Sequence, residues 1–159
     1  MSVIKKQMFS IADLAPFIAE QVKSGAAVRF TVTGNSMFPL FANRRDQVTV
    51  AAPQGVRKYD IVLHRRTDGT YILHRVIGIK GGVLTIAGDN ETQKEKGIRQ
   101  DQVIAKVIGF TRKGKQTDVS NLLYRLYSRF WLAVFPARHF ILAVLLTLRR
   151  AFSHAKAKK

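Results

Sequence analysis

The sequence contains no cysteine, which excludes disulfide bonds and metal sites built from thiolates. The first ten residues contain no apolar run of signal-peptide length, so we expect no export by that route. The chain has four histidines, His64, His74, His139 and His154. Their spacing along the chain is not that of metal ligands, so the sequence predicts no zinc site and no other metal or cofactor.

Acidic residues are scarce, since 10 Asp and Glu stand against 27 Lys and Arg, a formal net charge of +17. Residues 120–159 contain no acid at all, but they carry eight basic residues among many Leu, Phe, Val and aromatic residues. Cationic charge within a dense apolar segment favours an anionic membrane surface over nucleic acid, whose binding surfaces combine basic with polar residues. We therefore expect a membrane-associated tail at residues 120–159, with the anionic cytoplasmic leaflet favoured, and no nucleic-acid partner.

The tail also lacks an uncharged run long enough to span a bilayer. Its longest runs, residues 130–137 and 140–148, have eight and nine residues, whereas a spanning helix needs about 20. Arg138 and Pro136 interrupt the segment. The pattern predicts two helices separated by a break and lying on the membrane surface. The alternative is that the tail packs on the core of its own protein.

Residues 1–119 are predicted to form one β domain that begins with a helix. Apolar periodicity indicates a helix at residues 14–23 with Asp13 as its N-cap. Alternating apolar residues and turn signals indicate short strands from residue 28 and at residues 47–51, 60–66, 70–79, 83–87 and 102–110. The fold class expected is mainly β (α+β): a compact antiparallel β domain with a short N-terminal helix and C-terminal amphipathic helices.

A Gly-Asn-Ser-Met-Phe-Pro run follows the first predicted strand, and His74 comes 38 residues after its serine, Ser36. A serine hydroxyl becomes a good nucleophile when a neutral imidazole takes its proton. Gly34 permits a backbone conformation closed to other residues, Pro39 stiffens the turn, and backbone N–H groups around Ser36 are candidates for an oxyanion hole. The alternative is a turn serine that caps the next segment.

The hairpin between the third and fourth predicted strands decides which histidine faces a site. With a two-residue Asp-Gly turn, Leu63 lies opposite His74 and His64 lies opposite Leu73. Because side chains alternate between faces, the two histidines are then expected on opposite sides of the sheet. His74 falls on the more apolar face, which would keep its ring neutral.

Four segments, residues 33–40, 58–64, 71–77 and 87–90, resemble in order and spacing the successive boxes of the type I signal peptidase and self-cleaving repressor superfamily. The resemblance covers roughly residues 28–110. In the bacterial housekeeping branch the base is a lysine, whereas the matching position here is His74, as in the archaeal and endoplasmic-reticulum branch.

The resemblance implies that Ser36 is the nucleophile, that His74 is the general base, and that an extended peptide pairs with strand edges near Ser36. The residue two positions before the serine is Gly34, so only backbone donors remain for the oxyanion hole. They are expected near Gly34, Asn35 and Met37.

An acidic residue that orients the histidine follows the Gly-Asp-Asn box in this branch, but the aspartate expected there is missing. Glu95 fits the spacing best, and Glu91, Asp89 and Asp101 remain alternatives. Asp89 is more readily explained as a residue that stabilises the turn, and Asp60 is expected to be structural.

The sequence as a whole predicts a membrane-associated serine endopeptidase that cleaves a signal or leader-type peptide or preprotein. Signal peptidases usually carry an N-terminal spanning helix, which this sequence does not show, so a dedicated peptidase for one maturing peptide is equally consistent. A self-cleaving regulator is disfavoured because the sequence has no room for an N-terminal DNA-binding domain and no Ala-Gly cleavage linker. A non-catalytic module that binds peptides or lipid head groups on the same fold remains the alternative from another class.

Overall fold

The computed structural model describes residues 11–157, without the side chains of residues 146 and 149–157. The prediction made for the first ten residues lies outside this range. Helix α1 (Ile11–Lys23) buries Ala15, Ile18 and Val22 on one face. It includes the predicted helix but begins three residues earlier, so Asp13 lies in its first turn and is not the N-cap.

Eight strands form one sheet in the described part of the chain, and every strand pair is antiparallel. The sheet order is β1-β2-β7-β3-β4-β5-β6, with β8 paired to β7. The mainly β, α+β fold class is therefore confirmed. The strands are β1 (Val28–Thr31), β2 (Gln47–Ala51), β3 (Ile61–Arg65), β4 (Tyr71–Lys80), β5 (Val83–Ala87), β6 (Glu95–Ile98), β7 (Val103–Arg112) and β8 (Lys115–Asp118).

Two hydrophobic clusters lie on opposite faces of the sheet, as alternation along β3 shows. Ile61 and Leu63 belong to the larger cluster, which also contains residues of α1 and the Ser36 loop. Val62, between them, belongs to a smaller cluster formed with β4, β5, β6 and β7. Met37 joins the larger cluster to the loop that carries Ser36, residues 34–39, which is called here the serine loop.

The hairpin between β3 and β4 differs in register from the prediction. Val62 lies opposite His74, and His64 lies opposite Ile72. The connecting loop has three residues instead of two and ends at Gly69, whose φ is +88°. The extra loop residue shifts the pairing by one, so His64 and His74 share one face, with ring centroids 6.2 Å apart. The prediction that they point to opposite sides is wrong.

The tail forms α2 (Leu122–Ala133), a short 3-10 helix (Phe135–Ala137) and α3 (Arg138–Ala157), which confirms the predicted helix-break-helix. Asn121 caps α2 through its side chain, which accepts hydrogen bonds from two backbone N–H groups. One face of the tail is buried, so the tail packs on the rest of the protein. The buried residues of this face are Tyr124, Ser128, Trp131, Phe135, Arg138 and Leu142.

The opposite face of the tail exposes large apolar side chains. These side chains are 49% to 74% exposed and belong to Leu122, Leu123, Leu126, Phe130, Phe140, Val144 and Leu148. Within residues 11–157, no single helix has the length and apolar character of a membrane span. The pair Leu122–Ala133 and Phe135–Leu145, bent by 66°, satisfies the criteria of length and composition when taken together.

Candidate active site

The serine loop is held from both ends. Gly34 has a φ of +89° and donates its N–H to Oδ1 of Asn43 (3.1 Å). On the far side, Met37 is buried in the larger cluster, and its carbonyl accepts the N–H of Phe41 (2.9 Å). Ser36, between these anchors, is half-buried. The loop therefore presents its serine from a fixed backbone.

The remaining residues of the loop complete a tight turn. The carbonyl of Asn35 accepts the N–H of Phe38 (3.0 Å), and the Phe38–Pro39 peptide bond is cis. Within residues 11–157, the backbone N–H groups of Ser36 and Met37 have no hydrogen-bond acceptor. Two adjacent free donors next to a serine hydroxyl are the kind of group that an oxyanion hole requires.

A second loop, residues 88–91, packs directly against the serine loop and is called here the box loop. The N–H of Asn90 donates to the carbonyl of Ser36 (2.7 Å). A Cβ atom on Gly88 would lie 2.5 Å from that same carbonyl oxygen, so only glycine fits. Sequence reasoning gave Gly88 no role, although the Ala-Gly-Asp-Asn segment that contains it was the available signal.

His74 meets the box loop through Glu91. The Nε2 atom of His74 lies 3.5 Å from Oε1 of Glu91, and Oε2 of Glu91 accepts the N–H of Gly88 (3.3 Å). Interaction with His74 lowers the pKa of the Glu91 carboxyl below its ordinary value, although partial burial opposes the shift. Glu91, one of the alternatives left open by the sequence, is thus an acid within ion-pair distance of the histidine.

Ser36, His74 and Glu91 line one pocket of about 190 Å³. Its other walls are mostly apolar and come mainly from the chain around β1 and from the start of β4, with the charged side chain of Arg66 among them. Both ring nitrogens of His74 lack a hydrogen bond to any described residue, so the Ser36 hydroxyl and the imidazole line the same pocket without being hydrogen-bonded to each other. Such looseness is common in sites without substrate.

Glu95, which fitted the expected spacing best, pairs with Arg66. Its Oε2 accepts hydrogen bonds from Nη2 (2.6 Å) and Nε (2.8 Å) of Arg66. Asp101 lies in a short 3-10 helix, where it pairs with Arg99 at 2.7 Å and both side chains are exposed. Asp101 therefore has its own cationic partner at the surface.

The two aspartates expected to be structural each bind nearby groups. Asp89 is buried and forms a bidentate ion pair with Arg75, in which both N–O distances are 2.8 Å. Asp60 accepts the backbone N–H of Arg57 at 2.9 Å. Its carboxylate also lies 3.7 Å from Nζ of Lys106.

His64, His74 and Glu95 form the one group of possible metal ligands within the described residues. One donor atom from each lies within 4.8 Å of the other two. Burial lowers the pKa of His64 to about 4, so its ring is neutral at pH 7. The spacing along the sequence gave no sign of this group, because the corrected hairpin register and the return of β6 bring the three together.

The tail holds the box loop in place from behind. Arg138, which is fully buried, donates to the carbonyls of Gly88 (3.0 Å), Glu91 (3.1 Å) and Trp131 (3.0 Å). The indole N–H of Trp131 donates to the carbonyl of Asp89 (3.0 Å). Sequence reasoning noted Arg138 only as a charge between two apolar runs, and it missed this contact between the tail and the site.

The candidate site therefore joins the serine loop, the start of β4 and the box loop, with the tail packed behind. Its chemistry must be inferred from these contacts. Comparison of the chain with models of known protein families gives no match, and comparison with curated proteins gives none either.

Proposed function

We propose that this protein is a serine endopeptidase that cleaves a signal or leader-type peptide at a membrane surface. The observation that carries the proposal is the joint lining of one pocket by Ser36, His74 and Glu91. A nucleophile, a base and an acid that orients the base are the three groups with which a serine–histidine–acid triad carries out acyl transfer. The resemblance of four sequence segments to the signal peptidase superfamily supports the same reaction.

In the proposed reaction His74 moves the protons. It takes the proton of the Ser36 hydroxyl as Oγ bonds to the substrate carbonyl, and it gives that proton to the leaving amine as the C–N bond breaks. Water then hydrolyses the acyl-enzyme by the same route. Glu91 is the orienting acid, because its Oε1 lies 3.5 Å from Nε2 of His74. The free N–H groups of Ser36 and Met37 would stabilise the oxyanion.

Two strand edges beside the pocket suit an extended peptide. Among the described strands, β1 pairs only with β2, and β4 pairs with β5 only from Arg75 onward. Phe30 of β1 and Tyr71, Ile72 and Leu73 of β4 line the pocket. A substrate strand could hydrogen-bond to either free edge while one side chain enters the pocket. The volume of the pocket, about 190 Å³, is below the roughly 300–1,000 Å³ of sites that bind small molecules.

The decisive test is cleavage of a membrane-anchored test peptide by purified variants. Ser36→Ala and His74→Ala should each lower the rate by about a thousandfold or more. His139→Ala is the matched control, because His139 is exposed on α3, and it should cleave at the wild-type rate. Circular dichroism checks that each variant is folded. Retained cleavage in a folded Ser36→Ala or His74→Ala variant would refute the proposal.

Membrane association is proposed for the apolar outer face of the tail. Leu126 and Phe130 lie on that face of α2, with the exposed Arg125 and Arg129 beside them. An amphipathic helix of this kind inserts its apolar side chains at the level of the head groups, while its basic residues contact anionic lipids. The tail would thus hold the pocket close to a peptide that emerges from the cytoplasmic leaflet.

Vesicle co-sedimentation tests this placement without removing the tail. Binding to phosphatidylcholine vesicles should increase when phosphatidylserine is added. The double substitution Leu126→Ser and Phe130→Ser should weaken binding at least about tenfold, because two large apolar side chains no longer insert. Phe17→Ser is the control, since Phe17 is 53% exposed but lies on α1. Equal binding by the double variant and the control would contradict the proposal.

A non-catalytic peptide-binding module is the second candidate. It is favoured by one observation, the absence of a hydrogen bond between the His74 ring and any described residue, Ser36 included. In that case a peptide would bind the pocket and leave intact. The test peptide would then bind to wild type and to Ser36→Ala with equal affinity, and no product would form after long incubation. These two results together would support the binding module over the peptidase.

A further inference from the structure

Three side chains from separate strands converge on one face of the sheet. His64 on β3 and His74 on β4 stand at diagonal positions of the hairpin, and Glu95 begins β6. One donor atom of each lies within 4.8 Å of the other two. Two imidazoles and a carboxylate form a donor set typical of Zn²⁺ sites that keep an open coordination position.

The two imidazoles are buried without a hydrogen bond to any described residue, although Nε2 of His74 lies 3.5 Å from Oε1 of Glu91. His64 is 0% and His74 1% exposed, and none of their four ring nitrogens hydrogen-bonds to a described residue. Each neutral imidazole has one nitrogen lone pair, and leaving it unpaired in a buried position costs about 1–3 kcal/mol. Buried polar groups are almost always satisfied in proteins. A cation that accepts one lone pair from each ring would account for both.

The carboxylate is already positioned as a ligand. Arg66 binds Oε2 of Glu95, which fixes the carboxylate and leaves Oε1 without a hydrogen bond among the described residues. In metal sites, a second residue that hydrogen-bonds to a ligating carboxylate keeps that carboxylate in a fixed orientation. The Glu91 and Glu95 carboxylates outweigh the one guanidinium of Arg66, so the local charge suits a cation although the whole protein is strongly basic.

We propose that His64, His74 and Glu95 bind one divalent transition-metal ion of the Zn²⁺ type, with a further coordination position open to the pocket. Bonds of about 2.1 Å to a tetrahedral ion place ligand atoms about 3.4 Å apart. The three donor atoms, which lie within 4.8 Å of one another, must therefore approach each other by up to about 1.4 Å, which side-chain rotation can supply. A metal on His74 would also occupy the ring that the peptidase needs as its base. This last consequence alone rests on the proposed function, and it makes metal binding and cleavage mutually exclusive.

The test uses full-length, tag-free protein stripped of metal, and Co²⁺ and Zn²⁺ as probes. We expect one ion per chain, a visible Co²⁺ absorption band that Zn²⁺ displaces, and a rise in thermal stability with Zn²⁺ concentration. His64→Leu and Glu95→Gln should each weaken binding at least tenfold. His139→Leu, which removes an exposed histidine, should bind as wild type does.

His64→Leu is expected to fold, because it replaces a buried unpaired ring with an apolar side chain of similar size. Glu95→Gln provides a second variant at a partly exposed position. Absence of binding at micromolar Zn²⁺, or equal binding by wild type and both variants, would overturn the inference and leave a water as the partner of the imidazoles.

Ser36→Ala separates this inference from the peptidase proposal. Ser36 is not among the three ligands, so the variant should bind Co²⁺ with the wild-type spectrum even though it cannot cleave. Loss of Co²⁺ binding in Ser36→Ala would place the ion elsewhere and contradict the assignment. If no variant and no condition yields cleavage, but the Co²⁺ results hold, the metal site stands and the peptidase fails.

Discussion

Substitution of Gly88 by alanine tests the contact between the box loop and the serine loop. The added Cβ would lie 2.5 Å from the carbonyl oxygen of Ser36, whereas ordinary contacts begin at 3.4 Å, so the two backbones must separate by about 0.9 Å. The hydrogen bond from Asn90 to that carbonyl, now 2.7 Å, would lengthen to about 3.6 Å and be lost. Overpacking costs about 1–3 kcal/mol and the hydrogen bond about 1 kcal/mol, so we expect about 2–4 kcal/mol of destabilisation.

Urea unfolding followed by the fluorescence of the single tryptophan, Trp131, measures this loss. Gly78→Ala is the matched control. A Cβ on Gly78 would meet only the Cβ of Thr85, at an ordinary 3.8 Å, so its effect should stay within about 1 kcal/mol. If the peptidase proposal holds, a 1 Å displacement of the serine loop should also slow cleavage about 100-fold. Equal free energies of unfolding for Gly88→Ala and Gly78→Ala would refute the reasoning.

Two further predictions concern the groups around the box loop. Arg138→Leu removes the donor to three buried or partly buried carbonyls and should lower the free energy of unfolding by about 2–4 kcal/mol. Arg129→Leu, at an exposed position, is the control and should lower it by under about 0.5 kcal/mol; equal losses would contradict the role given to Arg138. His74 lowers the pKa of Glu91 in the folded protein, so the ionised carboxylate stabilises the fold at pH values above the ordinary pKa of about 4.5. This stabilisation is lost as the pH falls through the lower pKa that Glu91 has in the folded protein. Glu91→Gln should therefore destabilise the protein at pH 7 by urea unfolding and progressively less toward about pH 2, and it should slow cleavage more than Glu95→Gln does; a pH-independent difference would contradict the pairing.

Sequence patterns predicted the fold where side chains alternate between a buried and an exposed face. β2 and β5 coincide with the predicted segments, and β3, β4 and β7 differ by one or two residues at their ends. β6 and β8 were missed because β6 buries only Ile98 and β8 buries nothing, so neither has an apolar alternation. The hairpin register failed for a different reason, since an Asp-Gly pair occurs in three-residue as well as two-residue loops.

Within the site, Ser36 and His74, which the order of motifs singled out, line one pocket. The acid next to His74 depends on how the box loop folds back, and spacing along the chain does not encode that path. Glu95 fitted the spacing, yet Arg66 binds it, and Glu91 lies beside the imidazole. The contacts of Arg138 depend on packing between segments about 50 residues apart, which no local pattern reveals.

The hydrogen bonds of Arg138 have a practical consequence for anyone who shortens this protein to obtain a more soluble form. Deleting residues 120–159 would remove the donors to the carbonyls of Gly88, Asp89 and Glu91, along with the apolar face. Water would enter behind the box loop, and the carboxylate beside His74 would lose its fixed position. An inactive truncated protein would therefore say nothing about lipids, and only point substitutions on the outer face can separate anchoring from catalysis.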